Sequence, residues 1–164
     1  MKKPLWYWDS CVLLGLLKAE ADKISDLEQM ILDADDGKAS ILFSAWSFLE
    51  VLWLRGSNEP MAMTPDDEKL VQQFMMRSCF KIRNLDRKIA EDSRQLIWDC
   101  KQKDIRLSAK DAPHVATALF YNADVLHTYD PILIGLDGQL IKQDKSRLAI
   151  AVPKPQQHQF PFST

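Results

Sequence analysis

Apolar residues along this chain recur in two periods, one suited to strands and one to helices. Leu5-Trp6-Tyr7-Trp8 is a short bulky run ending on Asp9 and Ser10, and it predicts a buried strand handing over to an apolar helix that opens at Cys11. Ile24, Leu27, Met30 and Ile31 then recur at helical spacing, so residues 21–36 are expected to be helical, with Gly37 as the stop. The run Ile41-Leu42-Phe43, flanked by Ser40 and Ser44, predicts a second buried strand. A third helix is expected over residues 45–55, entered from Ser44 and broken by Gly56-Ser57-Asn58.

The second half repeats the alternation. Thr64-Pro65-Asp66-Asp67-Glu68 combines a hydroxyl cap, a proline in the first turn and acids at the positive helix end, which predicts a helix to about Arg77. Residues 79–83 predict a third strand with alternating faces. Asp86 caps a long helix carrying Ile89, Leu96 and Ile97 and ending near Lys103. Ser108 opens a helix to about Tyr121, residues 124–128 a fourth strand, and Asp130-Pro131 a short helix or turn that closes at Asp137-Gly138. Residues 148–152 predict the last strand, and the proline- and glutamine-bearing residues 153–164 an extended tail.

Strands alternating with helices imply βαβ units, hence a three-layer α/β/α domain with a central, mainly parallel sheet over residues 1–152. All strand C-terminal ends then share one edge, where open α/β sheets bind ligands. Asp9 and Asp130 follow strands and fall on that edge. Glu50 and Asp111 sit near the starts of helices that begin there. Each acid also has an ordinary explanation: Asp9 and Asp130 as helix caps, Glu50 and Asp111 in capping-box spacing with Ser47 and Ser108. Glu50 stands apart because its neighbours Phe48, Leu49, Val51 and Leu52 are apolar, and a carboxylate buried among them without a partner is costly. The convergence of four carboxylates is what points to function.

Composition narrows the chemistry. The 164 residues suffice for one domain with a real core, and 46% hydrophobic with 27% charged residues describes a globular chain. No apolar run reaches transmembrane length and no signal-peptide pattern is expected; with three cysteines, Cys11, Cys79 and Cys100, outside any C-x-x-C pattern, a cytoplasmic protein with reduced thiols is the expectation. The net charge of −2 is unevenly spread. Residues 1–68 carry 6 Lys/Arg against 13 Asp/Glu, whereas residues 69–110 carry 11 against 5. A basic middle beside an acidic site suits a polyanion, although solvated helix faces account for the same charges.

Clustered carboxylates repel one another unless they protonate or bind a cation, and an all-oxygen set suits Mg²⁺ or Mn²⁺ better than Zn²⁺. His114, three residues past Asp111, is expected to pack or to support a ligand rather than to be one. The chain has no H-E-x-x-H, Walker, G-x-S-x-G or dinucleotide-binding glycine motif. An acidic metal site without a side-chain nucleophile suits attack of activated water on a phosphodiester.

With these residues in place, the pattern resembles the PIN domain, the metal-dependent ribonuclease fold of VapC-type toxins. The resemblance runs from residue 5 to about 152. It rests on Trp8-Asp9-Ser10, on Ser47-Phe48-Leu49-Glu50-Val51, and most specifically on residues 110–119 (KDAPHVATAL) and 123–130 (ADVLHTYD). It implies bound Mg²⁺ or Mn²⁺ and hydrolysis of RNA, with Asp9, Glu50, Asp111 and Asp130 as the metal-binding acids. Ser10 and Thr128 would be the accompanying hydroxyls that orient a carboxylate or water. It also implies the toxin role of a type II toxin–antitoxin pair, with an antitoxin covering an apolar groove and a homodimer. Trp53-Leu54, residues 61–63 and Phe74-Met75-Met76 are candidate contact surfaces, although any one of these residues taken singly is expected to fill the core. Two rival expectations stand beside this one: a catalytically silent PIN-like module that binds protein or RNA, and a small-phosphoester hydrolase, whose D-x-D-x-T motif is missing at Asp9-Ser10-Cys11.

Overall fold

The computed structural model describes residues 3–51 and 64–155. Five strands, β1 (Leu5–Trp8), β2 (Ser40–Ser44), β3 (Phe80–Arg83), β4 (Val125–His127) and β5 (Ala149–Ala151), form one sheet in the order β3-β2-β1-β4-β5. Every pairing is parallel, as βαβ connections require. The chain builds outward from β1 to β3 on one side and then returns to the other side at β4. The order therefore reverses between β1 and β4, which makes the C-terminal ends of those two strands the natural ligand crevice.

Side chains alternate across the strands and create two cores. Trp6 and Trp8 from β1, with Ile41 and Phe43 from β2, face α1 (Ser10–Leu17), α2 (Ile24–Asp35) and α4 (Pro65–Met75). Tyr7, Leu42, Leu126 and Ile150 face the other way, with buried residues of α5 (Arg87–Gln102), α6 (Ala112–Phe120) and α7 (Pro131–Ile134). Helices on both faces explain why β2 is buried at all five residues and reads as an unbroken apolar run.

The expected elements are present with adjusted ends. Thr64 and Asp67 close a reciprocal capping box on α4, and Asp86 accepts from the Ile89 N–H to cap α5. The helix expected from Ala45 begins two residues later, as α3 (Ser47–Glu50), because Ala45 N–H still donates to the Arg83 carbonyl and continues the sheet pairing. Residues 52–63, including Trp53, Leu54, Met61 and Met63, lie outside the described residues. The helix expected from Ser108 begins at Ala112, since Pro113 has no N–H to extend the ladder backward. Residues 108–111 instead make a turn in which the Ser108 hydroxyl accepts from the Lys110 and Asp111 amides. On β3 the expected alternation is lost: Phe80 is buried while Lys81, Ile82 and Arg83 are exposed, as an edge strand allows. Of the candidate contact residues, Phe74 packs on the core, Met75 is buried and Met76 is 85% exposed. All three cysteines are free thiols, and among the described residues no helix is long and apolar enough to cross a membrane.

His127 of β4 sets a pH dependence for the fold. Its ring is buried edge-on against Trp6, and neither nitrogen finds a hydrogen-bond partner among the described residues. Burial pushes it down from 6.5 to about 4, and the Ala151 and Val152 backbone, polar neighbours short of hydrogen-bond geometry, offsets only part of that effect. Between those values the unfolded chain takes up a proton that the folded one refuses, so stability falls as pH drops through that window and is unaffected above it. Urea unfolding at pH 7.5 and pH 5 should show roughly 2 kcal/mol of loss from this group. His127→Phe should lack that component; an equal fall in both proteins would assign it elsewhere.

Candidate metal centre

The C-terminal edge of the sheet gathers the acids. Asp9 ends β1 and caps α1: its Oδ1 accepts from the Ser10 amide at 2.6 Å. Its Oδ2 accepts from the Thr128 hydroxyl at 2.8 Å, just past β4. One carboxylate thus ties together the two strands that flank the crevice. Thr128 Oγ1 also accepts from the Asp130 amide at 3.0 Å, so the hydroxyl sets the turn that carries Asp130. The Cys11 thiol donates to Asp9 Oδ2, and burial, then the Asp9 charge, push it up to about 12. Held as a neutral thiol, Cys11 is no nucleophile.

Glu50 arrives from α3, and its setting differs from the apolar burial its sequence neighbours imply. Phe48 and Leu49 are 40% and 59% exposed, while Glu50 is half-buried and turned toward α1 and α6. Its Oε2 accepts from the Ser10 hydroxyl at 2.5 Å and lies 2.6 Å from His114 Nε2. Burial works against the charge, but His114, Ser10 and the nearby Lys110 outweigh it and hold the Glu50 carboxyl below the usual range. His114 Nε2 is also 3.2 Å from Ser10 Oγ and 3.5 Å from Asp9 Oδ1.

Asp111 stands at the N-terminus of α6, where Ser108 Oγ donates to its Oδ2 at 2.5 Å. Burial, then the negative charges of Asp130 and Asp9, push its carboxyl up against the opposing Ser108 bond. Asp130 shares the field and also caps α7, its Oδ1 accepting from the Ile132 amide at 2.7 Å. The four acids therefore stand in one electrostatic neighbourhood. The tightest grouping is Asp9, Glu50 and His114, with one ligand atom of each within 4.8 Å of the others. Asp124 and Asp137, by contrast, are committed to the fold: they accept from the Leu5 and Ile150 amides at 2.7 Å.

This donor set fits a divalent cation. Hard oxygens predominate, and the mutual repulsion that pushes the Asp111 carboxyl up is the kind of repulsion a cation relieves. His114, expected beside the site in a supporting part, has its ring between two of the carboxylates, Asp9 and Glu50. The available signal was its position three residues after Asp111, one turn along the same helix. Lys110 belongs to the basic stretch and opens the KDAPHVATAL segment, but its approach to Glu50 depends on the turn at Ser108.

The sequence profile of the PIN domain matches residues 7–138. The chain belongs to the PIN domain family. Among curated proteins, none matches this PIN domain protein in sequence. Its fold is similar to that of VapBC2 from Rickettsia felis, solved bound to a DNA fragment from its promoter: 14% identity and a TM-score of 0.62 over 89% of this chain and 98% of that one. DNA-bound VapBC from Salmonella typhimurium gives 15% and 0.59 over 90% and 98%. Mycobacterium tuberculosis VapC20, a toxin that cleaves the Sarcin-Ricin loop, gives 11% and 0.57 over 77% and 90%. At these identities the likeness is one of fold.

Proposed function

We propose that this PIN domain protein is a metal-dependent endoribonuclease and the toxin of a type II toxin–antitoxin pair. The observation that carries the reading is the meeting of Asp9 and Glu50 with His114 at the crevice between β1 and β4, with Asp111 and Asp130 in the same field. Asp9, Glu50, Asp111 and Asp130 are the residues that would hold Mg²⁺ or Mn²⁺. A bound cation would supply Lewis-acid activation of water and stabilise charge at a phosphodiester. Ser10 and Thr128 keep the Glu50 and Asp9 oxygens in place through their hydroxyls. Lys110, close enough to stabilise the Glu50 charge, offers positive charge to a phosphate backbone. The structural likeness to VapBC complexes supports an antitoxin partner, and a homodimer and a cytoplasmic setting belong to the same reading.

The test is incubation of purified, partner-free protein with total cellular RNA and with tRNA in Mg²⁺ or Mn²⁺. Discrete cleavage products are expected with either metal and none in EDTA. Intact RNA throughout, from protein folded by circular dichroism, would leave a binding module. Release of phosphate from p-nitrophenyl phosphate without RNA cleavage would make it a small-ester hydrolase.

A further inference from the structure

His114 is fully buried, and so is Tyr7, whose hydroxyl lies 2.7 Å from His114 Nδ1. Tyr7 faces the α6 side of the sheet from the middle of β1, so its phenol reaches α6 from beneath the site. Among the described residues, His114 Nδ1 is the atom within hydrogen-bond distance of the phenol oxygen. A buried phenol proton needs an acceptor, and His114 Nδ1 is the one in reach, so the proton points to His114. Nδ1 is then an acceptor, and the ring proton of a neutral imidazole sits on Nε2.

The other end of the ring gives the same answer independently. Glu50 Oε2, at 2.6 Å from Nε2, already accepts the Ser10 hydroxyl proton at 2.5 Å. A bare Nε2 facing that oxygen would set two lone pairs against each other; a donated N–H removes the conflict. Nε2–H also points toward Ser10 Oγ and Asp9 Oδ1, so a single donor addresses the groups that meet at the crevice.

We propose that Tyr7, acting through His114, positions Glu50: the phenol fixes the Nε2–H tautomer, the imidazole donates to Glu50 Oε2, and His114 is a positioning residue rather than a metal ligand. The inference rests on the metal-site reading above. It deepens that reading by dividing the triplet into two ligands and one orienter. Oε2, held by two donors, leaves Oε1 as the oxygen that Glu50 offers to a cation. Groups that orient a ligand from behind typically change metal affinity by about 10- to 100-fold when removed.

The test uses the full chain and Mn²⁺ alone. Electron spin-echo modulation of the Mn²⁺-loaded protein should show no directly coordinated ¹⁴N, and calorimetry should show about tenfold weaker Mn²⁺ binding in Tyr7→Phe and His114→Leu. His114→Gln, which can present an amide N–H where Nε2–H stands, should restore most of the affinity. A ¹⁴N coupling in wild type that disappears in His114→Leu would make His114 a ligand and overturn the relay. Unchanged affinity in a folded Tyr7→Phe would do the same. Side-chain ¹H–¹⁵N NMR of His114 without metal reads the tautomer directly: Nε2–H supports the relay and Nδ1–H overturns it. That reading holds even if wild type binds no Mn²⁺, a result that would overturn the metal site instead.

Discussion

Asp9→Asn is expected to lower metal-dependent RNA cleavage by about a thousandfold or more, on the scale of losing a transition-state electrostatic contact. The loss should be chemical and not structural. Asparagine keeps an acceptor oxygen for the Ser10 amide that caps α1. Thr128, which donates to Asp9 Oδ2, has a hydroxyl that can rotate to accept from the new amide. The change should therefore cost about 1 kcal/mol of stability. It also removes one of the charges that push the Asp111 carboxyl up, which works in the opposite direction. The check is cleavage of a defined RNA by wild type and variant, alongside thermal unfolding with and without Mn²⁺. Wild type should melt higher with Mn²⁺ because the cation binds only the folded site, and the variant should lose most of that rise. A variant that cleaves normally would remove Asp9 from the reaction.

Trp8→Ala should cost about 3–5 kcal/mol, a large share of the stability of a domain of this size. Trp8 is among the largest fully buried side chains, and its ring packs edge-on against Phe43 at 6.1 Å between centroids and tilted against Phe80 at 6.3 Å. Phe80 in turn meets Phe43 edge-on at 5.0 Å and Phe74 at a tilt at 4.8 Å, so the indole anchors a cluster that joins β1, β2, β3 and α4. Removing it leaves a cavity that rigid strands cannot close. Trp8 Nε1 has no hydrogen-bond partner among the described residues, so no polar contact is lost with it. Trp8→Phe should cost much less, roughly 1–2 kcal/mol, because aromatic packing is kept. Urea unfolding of both variants gives the comparison; equal losses would mean that the cavity is not the cause. Asp9 adjoins Trp8, so the Ala variant is also expected to lose activity as the strand end loosens.

The elements that could be read directly from the chain are those whose signals are local. β2 is written in one apolar run, α4 in its proline and capping box, α5 in the Asp86 cap and the Ile89–Ile97 spacing. The starts of α3 and α6 differ from the local expectation because their limits are set by other features. Ala45 is held by Arg83 of a neighbouring strand, and Pro113 withholds one amide from a ladder that Ser108 would otherwise open. Local propensity has no access to the first, and in the second a hydroxyl signal outweighed the proline.

The same division runs through the site. The positions of Asp9, Glu50, Asp111 and Asp130 relative to strand ends and helix starts follow from the sequence, since a parallel sheet sends every strand C-terminus to one edge. Their inequality does not. That Asp9 bridges to Thr128, that Glu50 shares Oε2 between Ser10 and His114, and that Tyr7 backs the imidazole are contacts spanning 119, 40, 64 and 107 residues of chain. Charge and spacing determine which groups gather, because topology carries them there. Which atom faces which depends on how the sheet and its two helical layers pack, and that is a property of the folded whole.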